Sequence, residues 1–363
     1  MIYLDHAATT PADPRVIEAM ARCMREAWLN PSAAYAGAGT ARRALREARQ
    51  AVAGLINATP QEVIFTSGGT EANNQAVALA RGGHAVVSAI EHASVLRAAA
   101  ALCREVTLVP PEPDGRVRPE AVLDALRPDT KLVSVQLANN ETGMLQPVAE
   151  MAALLRAKRV PLHCDAVQAV GHVPVDVKAL GMDLLSLSGH KLYGPRGVGA
   201  LFVRQGTPLS PLIHGGGQEL GLRSGTENLP AIVGLGVAAR LAAEDLDERA
   251  VREQALLDMF CTEVLRRVPG CRRLGEGERL PGVMALLIPG LNSELAVARL
   301  DTMGIQISGG AACASRAHEP SHVYRAMGLS DVDAACVIRI SVGRETTEAE
   351  LRTAAEAVEK IKN

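Results

Sequence analysis

Short runs of β-branched and apolar residues alternate with helical stretches along the first two thirds of the chain. Ten or more residues of helical character separate most of the runs, as at 147–157. This alternation is typical of β-α-β units, which build a mostly parallel sheet with helices on both faces. We therefore predict an α/β fold with a seven-stranded, mostly parallel sheet. Its strands are predicted at 63–66, 85–89, 105–109, 132–137, 160–164, 183–188 and 199–203.

The alternation stops near residue 230, where a long helical pattern continues to about residue 268. We predict a domain boundary near Arg249, which gives a large domain of residues 14–249. Residues 1–13 and 250–363 are predicted to form a smaller α+β domain. Its strands are predicted at 283–288, 305–308 and 336–342, with a helix from Ser293 between the first two.

Composition excludes several classes of protein. The 363 residues carry a net charge of -2, so a polyanion such as nucleic acid is not expected as a direct ligand. Seven cysteines without a CxxC spacing indicate neither a disulfide framework nor a zinc knuckle. The longest apolar run, 229–239, is too short to span a membrane, and the N-terminus is unlike a secretion signal. A cytoplasmic protein without a membrane partner is expected.

The strand at 63–66 runs directly into a glycine turn, Ser67-Gly68-Gly69-Thr70-Glu71, followed by a helical stretch. A turn of this kind presents free backbone N–H groups and the positive end of the helix dipole to an anion. Phosphate is the expected ligand. The alternative is an ordinary strand-to-helix turn with Thr70 as the N-cap.

Two neighbouring strands end in residues with complementary chemistry. Asp165 follows the strand 160–164, and Lys191 follows the strand 183–188. Ligands of such sheets bind at the carboxyl ends of the strands, so both side chains could face one crevice. A carboxylate that keeps a pyridine nitrogen protonated and a lysine that binds an aldehyde suit pyridoxal 5'-phosphate. The alternative for Lys191 is a surface lysine after a strand.

A second glycine-rich turn, 307–315, carries Cys313. A cysteine in an accessible, flexible loop can form a nucleophilic thiolate, whereas the alternative is a small core residue. The other six cysteines lie in predicted strands or helices and are expected in the core. Two further patterns are discounted: the GxGxxA string at 234–239 lacks a preceding strand, and His163-Cys164-Asp165 lacks the further ligands of a metal site. No metal is predicted.

The chain resembles the cysteine desulfurases of the class V aminotransferase group, which are pyridoxal phosphate enzymes of fold type I. The resemblance runs nearly end to end. It is carried by YLDHAATT (3–10), NPS (30–32), TSGGTE (66–71), EH (91–92), NNETG (139–143), HCDAVQ (163–168), SLSGHK (186–191), RSGTEN (223–228) and EPS (319–321).

The resemblance implies how the cofactor would be held. Lys191 would bind its aldehyde and later move the α-proton of the substrate, and Asp165 would pair with the ring nitrogen. His92 would stack over the ring and act in acid–base steps, while Gln168 would contact the phenolic oxygen. The resemblance implies a phosphate site made of Gly69, Thr70, Ser188 and His190, with Thr226 contributed by the other subunit of a homodimer.

The resemblance also implies the substrate and the reaction. Arg339 would bind the carboxylate of L-cysteine, with Asn140 near the substrate and Asn30 assisting. Cys313 would be the nucleophile, leaving L-alanine and a Cys313 persulfide. The sulfur would pass to an acceptor protein for iron–sulfur cluster synthesis or for thiolation of a cofactor or tRNA. A selenocysteine lyase and a non-catalytic assembly partner of the same fold are the alternatives.

A few positions depart from the family pattern. Tyr35 and Ala38 stand where the family usually has His and Gly, and 308–315 follows the usual loop sequence only loosely. The chain also ends at Asn363 without the extended tail of relatives that bind a scaffold. We therefore expect an acceptor different from a general iron–sulfur scaffold.

Overall fold

A seven-stranded sheet forms the centre of the computed structural model, which describes residues 1–309 and 320–362. Two smaller sheets lie beside it. The strands are β1 (Ile2–Tyr3), β2 (Val63–Thr66), β3 (His84–Ser88), β4 (Glu105–Val109), β5 (Thr130–Ser134), β6 (Leu162–Asp165), β7 (Leu184–Ser188), β8 (Gly199–Val203), β9 (Arg272–Arg273), β10 (Val283–Leu287), β11 (Ile305–Gln306) and β12 (Val337–Ser341).

Helices cover the large sheet and pack beside the smaller ones. They are α1 (Pro14–Glu26), α2 (Gly39–Leu55), α3 (Gly69–Val77), α4 (Ala93–Leu102), α5 (Pro119–Asp124), α6 (Val148–Lys158), α7 (Val177–Leu180), α8 (Leu229–Glu244), α9 (Leu246–Arg267), α10 (Ser293–Thr302), α11 (His322–Ala326), α12 (Asp331–Ala334) and α13 (Glu348–Lys362).

The large sheet has the order β2-β8-β7-β6-β5-β3-β4. Only β8 runs antiparallel to its neighbours, and all other pairs are parallel. The predicted fold class is thus confirmed, and each predicted strand is found within three residues of its expected bounds. Because β5, β6 and β7 are parallel, their carboxyl ends meet at one edge of the sheet.

Both faces of the large sheet are buried at β2, β3, β6, β7 and β8, whereas the edge strand β4 is partly exposed. Burial on both faces explains why most of the strands read as continuous apolar runs. Successive residues of a strand point to opposite faces. In β7, Leu184 packs into one hydrophobic cluster and Leu185 into another. The core is built almost entirely from Ala, Val, Leu and Ile, as the low aromatic content requires.

A second unit is formed by the antiparallel sheet β12-β10-β9 with α9, α10 and α13. It has its own hydrophobic cluster, which includes Leu4 from the N-terminal segment, Phe260 of α9 and Ile338 of β12. The last helix is preceded by a capping box, in which Glu350 N donates to Thr347 Oγ1 and Thr347 N donates to the Glu350 carboxylate. The division of the chain near Arg249 stays a prediction; that residue lies in the first turn of α9.

The helical pattern at 230–268 is divided into two helices at Asp245, whose backbone has φ -115° and ψ 9°. Its carboxylate pairs with Arg249 at 3.2 Å and with the distant Arg344 at 3.0 Å. The GxGxxA string lies inside α8. There, a Cβ on Gly236 would stand 2.6 Å from Ala48 Cα of α2, so the glycine permits close helix packing.

Within residues 1–309 and 320–362, none of the helices combines the length and the apolar character needed to cross a membrane.

Candidate active site

A cavity of about 540 Å³ opens where β6 and β7 end. Asn30 and Thr226 do not line it in the described part of the chain, and Cys313 lies outside the described residues. Ten of the residues predicted for the site do line it: Gly69, Thr70, His92, Asn140, Asp165, Gln168, Ser188, His190, Lys191 and Arg339.

The N-terminus of α3 forms one wall of this cavity. The helix begins at Gly69 after Gly68, which has φ 152° and supplies no side-chain cap. Thr70 therefore lies within the first turn and is not the N-cap. A Cβ on Gly69 would stand 2.7 Å from Val167 Cγ2, so only glycine lets the turn lie this close to the end of β6. The first-turn N–H groups without a side-chain cap suit an anion such as phosphate.

Asp165 is the last residue of β6 and is held by two donors. Its Oδ2 accepts from Asn73 Nδ2 at 2.6 Å, and its Oδ1 accepts from Val167 N at 3.0 Å. The side chain is buried yet lines the cavity. Two hydrogen bonds to its oxygens fix the orientation of the Asp165 carboxyl group.

A second carboxyl group, Glu91, lies close to Asp165 in the protein interior. Burial, followed by the charge of Asp165, raises the pKa of Glu91 well above its usual range. Its Oε1 accepts from Gln136 N at 2.6 Å. This shift favours the protonated form of Glu91.

Lys191 lies at the end of the 3-10 turn Gly189–Lys191, directly after β7. Its Nζ donates to the carbonyl oxygens of Ala7 and Ala8, the latter at 2.8 Å. Its own carbonyl oxygen contacts His172 Nε2 at 2.8 Å. The N-terminal segment thereby holds the lysine amine at the cavity. The charge of this amine is opposite to that of a carboxylate such as Asp165.

His190 contributes a neutral ring to the same turn. Its Nδ1 lies 3.2 Å from Thr9 Oγ1. Burial, together with the charge of Lys191, lowers the pKa of His190 to about 4. At pH 7 the ring is uncharged and carries one N–H, which allows it to donate a single hydrogen bond to an anion.

His92 is the N-cap residue of α4. Its Nδ1 accepts from Ser94 N at 3.1 Å and lies 2.7 Å from Ser94 Oγ. The cap fixes the imidazole against the helix, while the side chain still lines the cavity.

Arg339 of β12 brings a buried guanidinium to the cavity. Nη2 donates to Asp5 Oδ1 at 2.7 Å, and Nη1 donates to the Asn140 carbonyl oxygen at 2.8 Å. Among the described residues, Nε has no hydrogen-bond partner. A guanidinium that is anchored on one side and has an unpaired N–H can bind a carboxylate.

Gln168 follows β6 in the 165–168 turn. Its Nε2 donates to the Ala7 carbonyl oxygen at 2.8 Å, the same oxygen that accepts from Lys191. Gln168 and Lys191 thus share one backbone anchor in the N-terminal segment.

Two predicted residues lie away from the cavity in the single chain. Asn30 is exposed, and its Oδ1 accepts from Ser32 N at 2.8 Å in a local turn. Thr226 is also exposed, although an ion pair of 2.9 Å between Arg223 and Glu71 joins its turn to the first turn of α3.

Sequence reasoning missed Asn73 and Ser94, which line the cavity and contact Asp165 and His92. A signal for Asn73 existed. It follows Thr70 by three residues and so lies on the same face of α3. For Ser94 the signal was weaker, because a serine two residues after a histidine indicates a cap only when the helix start is known.

Three features of the cavity match three chemical groups of pyridoxal phosphate. The glycine turn and the start of α3 have no side-chain cap and suit the phosphate group. Asp165 supplies a fixed carboxylate for a pyridinium nitrogen, and Lys191 supplies an amine for an aldehyde.

Comparisons with known proteins agree with this site. The family model for class-V aminotransferases matches residues 2–353. Cysteine desulfurase IscS of Dictyoglomus turgidum is 41% identical over 370 residues, which cover 99% of this chain and 94% of that protein. Cysteine desulfurase IscS 1 of Archaeoglobus fulgidus is 42% identical over 357 residues, covering 96% and 93%.

Solved structures give the same result. A NifS-like protein from Rickettsia africae superimposes with a TM-score of 0.92 at 33% identity, covering 99% of both chains. SspA, solved in complex with cysteine, gives a TM-score of 0.84 at 35% identity, covering 94% of this chain and 99% of that one. The chain therefore belongs to the class-V aminotransferase family.

Proposed function

We propose that this chain is a pyridoxal phosphate-dependent cysteine desulfurase. The observation that carries the proposal is the placement of Lys191, Asp165 and the uncapped start of α3 around one cavity that Arg339 also lines. The names of the relatives and the cysteine complex of SspA support L-cysteine as the substrate.

In this proposal each residue has a defined task toward the cofactor. Lys191 binds the aldehyde, Asp165 pairs with the ring nitrogen, and His92 stacks over the ring. Gln168 contacts the phenolic oxygen, with Asn140 nearby. The phosphate is held by Gly69, Thr70, Ser188, His190 and, in a homodimer, Thr226 of a second copy of the chain.

When bound, pyridoxal phosphate supplies an electron sink for the bonds at the α-carbon of an amino acid. Arg339 binds the substrate carboxylate and orients the amino acid, with Asn30 assisting. Lys191 Nζ then removes the α-proton and returns it, and His92 exchanges a proton with the substrate.

Cys313 is the proposed acceptor of the sulfur. Its thiolate attacks the substrate sulfur, so an S–S bond forms as the Cβ–S bond of the substrate breaks. The β-carbon gains a hydrogen and becomes the methyl group of L-alanine, and the thiol hydrogens are retained in the products. No external oxidant or reductant is needed, since one thiol and L-cysteine yield one persulfide and L-alanine.

The Cys313 persulfide then passes its terminal sulfur to an acceptor protein. We propose iron–sulfur cluster assembly or thiolation of a cofactor or tRNA as the destination, in the cytoplasm, with an acceptor different from a general iron–sulfur scaffold. The departures at Tyr35 and Ala38 support such an acceptor.

Absorption spectroscopy tests the cofactor part of the proposal. The purified protein supplied with pyridoxal phosphate is expected to absorb near ~400 nm, as lysine-bound pyridoxal does. Lys191→Ala is expected to lose this band, whereas Lys178→Ala, which removes an exposed lysine, retains it. A parent protein without the band after addition of cofactor, or a Lys191→Ala protein that keeps it unchanged, would contradict the proposal.

A further inference from the structure

Four polar side chains form a continuous hydrogen-bonded chain from Asp165 to His92, here called the polar relay. Asn73 Nδ2 lies 2.6 Å from Asp165 Oδ2 and 2.8 Å from Ser94 Oγ. Ser94 Oγ lies 2.7 Å from His92 Nδ1. All four residues line the cavity, and Asn73 is only 1% exposed. The relay therefore joins the two groups that are proposed to hold the cofactor ring.

The chemistry of the groups sets the direction of each hydrogen bond in the polar relay. A carboxylate only accepts, so Asn73 must turn its NH₂ group, and not its carbonyl, toward Asp165. The second hydrogen of that NH₂ group goes to Ser94 Oγ. The hydroxyl hydrogen of Ser94 is then available to His92 Nδ1. Since Ser94 N donates to the same nitrogen at 3.1 Å, Nδ1 of His92 is an acceptor with two donors.

The orientation of the Asn73 amide leaves one of its polar atoms unpaired. Its Oδ1 is buried and has no hydrogen-bond partner among the described residues. A buried carbonyl without a hydrogen-bond partner destabilises the folded protein. An asparagine that served only to fill this position would gain by pairing both ends of its amide, so the orientation indicates that its two donors matter more than its acceptor.

We propose that Asn73 and Ser94 are positioning residues that hold His92 with Nδ1 unprotonated and with the hydrogen of the neutral ring on Nε2. This inference rests on the proposed function, in which His92 acts on the substrate. In that state the neutral ring of His92 donates a hydrogen bond from Nε2 and accepts none there. The polar relay also makes the orientation of His92 depend on the same amide that fixes Asp165.

Two substitutions of Ser94 separate this role from a structural one. Ser94→Ala removes the hydroxyl donor and leaves both bonds to Asp165 intact, whereas Ser94→Thr retains a hydroxyl. Ser134→Ala is the matched control, because Ser134 Oγ lies 2.8 Å from Nδ1 of a different histidine, His163, which does not line the cavity. Asn73→Ala is a second test of the polar relay, since it removes the donor to Ser94 without changing the sequence of α4.

The experiment measures the ¹⁵N resonance of His92 Nδ1 in histidine-labelled, cofactor-loaded protein, together with kcat for L-cysteine. We expect an unprotonated Nδ1 in the parent, a shifted resonance in Ser94→Ala and its restoration in Ser94→Thr. The value of kcat should fall about tenfold in Ser94→Ala, because an acid–base group that loses its fixed orientation loses part of its contribution, while the cofactor absorbance persists. Ser134→Ala should leave both quantities unchanged. Asn73→Ala should shift the Nδ1 resonance and also the cofactor band.

A protonated Nδ1 in the parent would overturn the inference, and so would a Ser94→Ala protein with an unchanged resonance or an unchanged kcat. The resonance is measured without substrate. A parent that shows the expected Nδ1 state but forms no alanine would therefore refute the proposed function and not the orientation of His92.

Discussion

At the scale of single residues, the guanidinium of Arg339 is anchored by a carboxylate outside the cavity lining. Asp5, from the segment that follows β1, binds Nη2, and the Asn140 carbonyl oxygen binds Nη1. The side chain of Arg339 is 2% exposed and that of Asp5 is 17% exposed. Asp5 is thus placed to orient a guanidinium that is proposed to bind the substrate.

Asp5→Asn is expected to raise KM for L-cysteine about tenfold, because a charge-assisted hydrogen bond worth about 1.5–3 kcal/mol is weakened and the guanidinium loses its fixed orientation. The value of kcat and the cofactor absorbance should change little. Steady-state kinetics on the cofactor-loaded protein provide the measurement. Asp258→Asn, which weakens an exposed pair with Arg273, serves as the control. An unchanged or lower KM in Asp5→Asn would show that Asp5 does not orient Arg339.

Single residues also show where sequence reasoning succeeds and where it ends. Lys191 and Asp165 follow strands, and parallel strands bring their ends to one edge, so the sequence could predict that they share a crevice. The contact between Asn73 and Ser94 joins two helices and depends on side-chain rotamers. No pattern along the chain encodes it.

At the scale of elements, the packing of α2 against α8 depends on the absence of a side chain at Gly236. A Cβ there would stand 2.6 Å from Ala48 Cα and 2.8 Å from Ala48 Cβ. The Cα and Cβ atoms of a helix can move only with the helix itself, whereas the end of a flexible side chain can rotate away. The two helices must therefore move apart if position 236 acquires a methyl group.

Gly236→Ala is expected to lower the free energy of unfolding by about 1–3 kcal/mol, the usual cost of overpacking a core. Gly54→Ala, in α2, is the matched control, because a Cβ at that position meets no atom within 4 Å. It should raise the free energy of unfolding by about 0.5–1 kcal/mol through the higher helix propensity of alanine. Urea titrations of the two variants would measure the difference, and equal effects would contradict the packing described for α8.

The strands of the large sheet and several helices could be predicted from the sequence because their patterns are local. The break between α8 and α9 could not, since the contact of Asp245 with Arg344 joins residues that are distant along the chain. Likewise, the predicted strand at 305–308 is shortened to β11, while Ser308 pairs with Arg339 in an isolated bridge. Tertiary contacts therefore determine where α8 and β11 end.

At the scale of the whole molecule, buried histidines link stability to pH. Burial lowers the pKa of His163 and of His172 to about 4, in His172 with help from the charge of Arg249. An unfolded histidine has a pKa of about 6.5. Between these values the unfolded chain binds more protons than the folded one, so stability falls as the pH is lowered from about 6.5 toward 4. Glu253, whose pKa burial raises to about 7, acts in the opposite direction and offsets part of this loss.

His172→Gln is expected to reduce the loss of stability between pH 7 and pH 5, because each such histidine contributes about 1.4 kcal/mol per pH unit in its window. His214→Gln, which replaces an exposed histidine, should retain the pH dependence of the parent. Urea unfolding at the two pH values measures both. A His172→Gln protein with the same pH dependence as the parent would mean that His172 is protonated equally in the folded and unfolded states.

The most direct measurement of the central claim is the formation of L-alanine from L-cysteine by the cofactor-loaded protein in the presence of a reductant. The parent is predicted to release alanine and sulfide in equal amounts. Cys313→Ala should lose this activity, whereas Cys271→Ala, which removes a half-buried cysteine of the second unit, should keep it. A cofactor-loaded parent that forms no alanine would contradict the account, as would a Cys313→Ala protein with full activity toward L-cysteine.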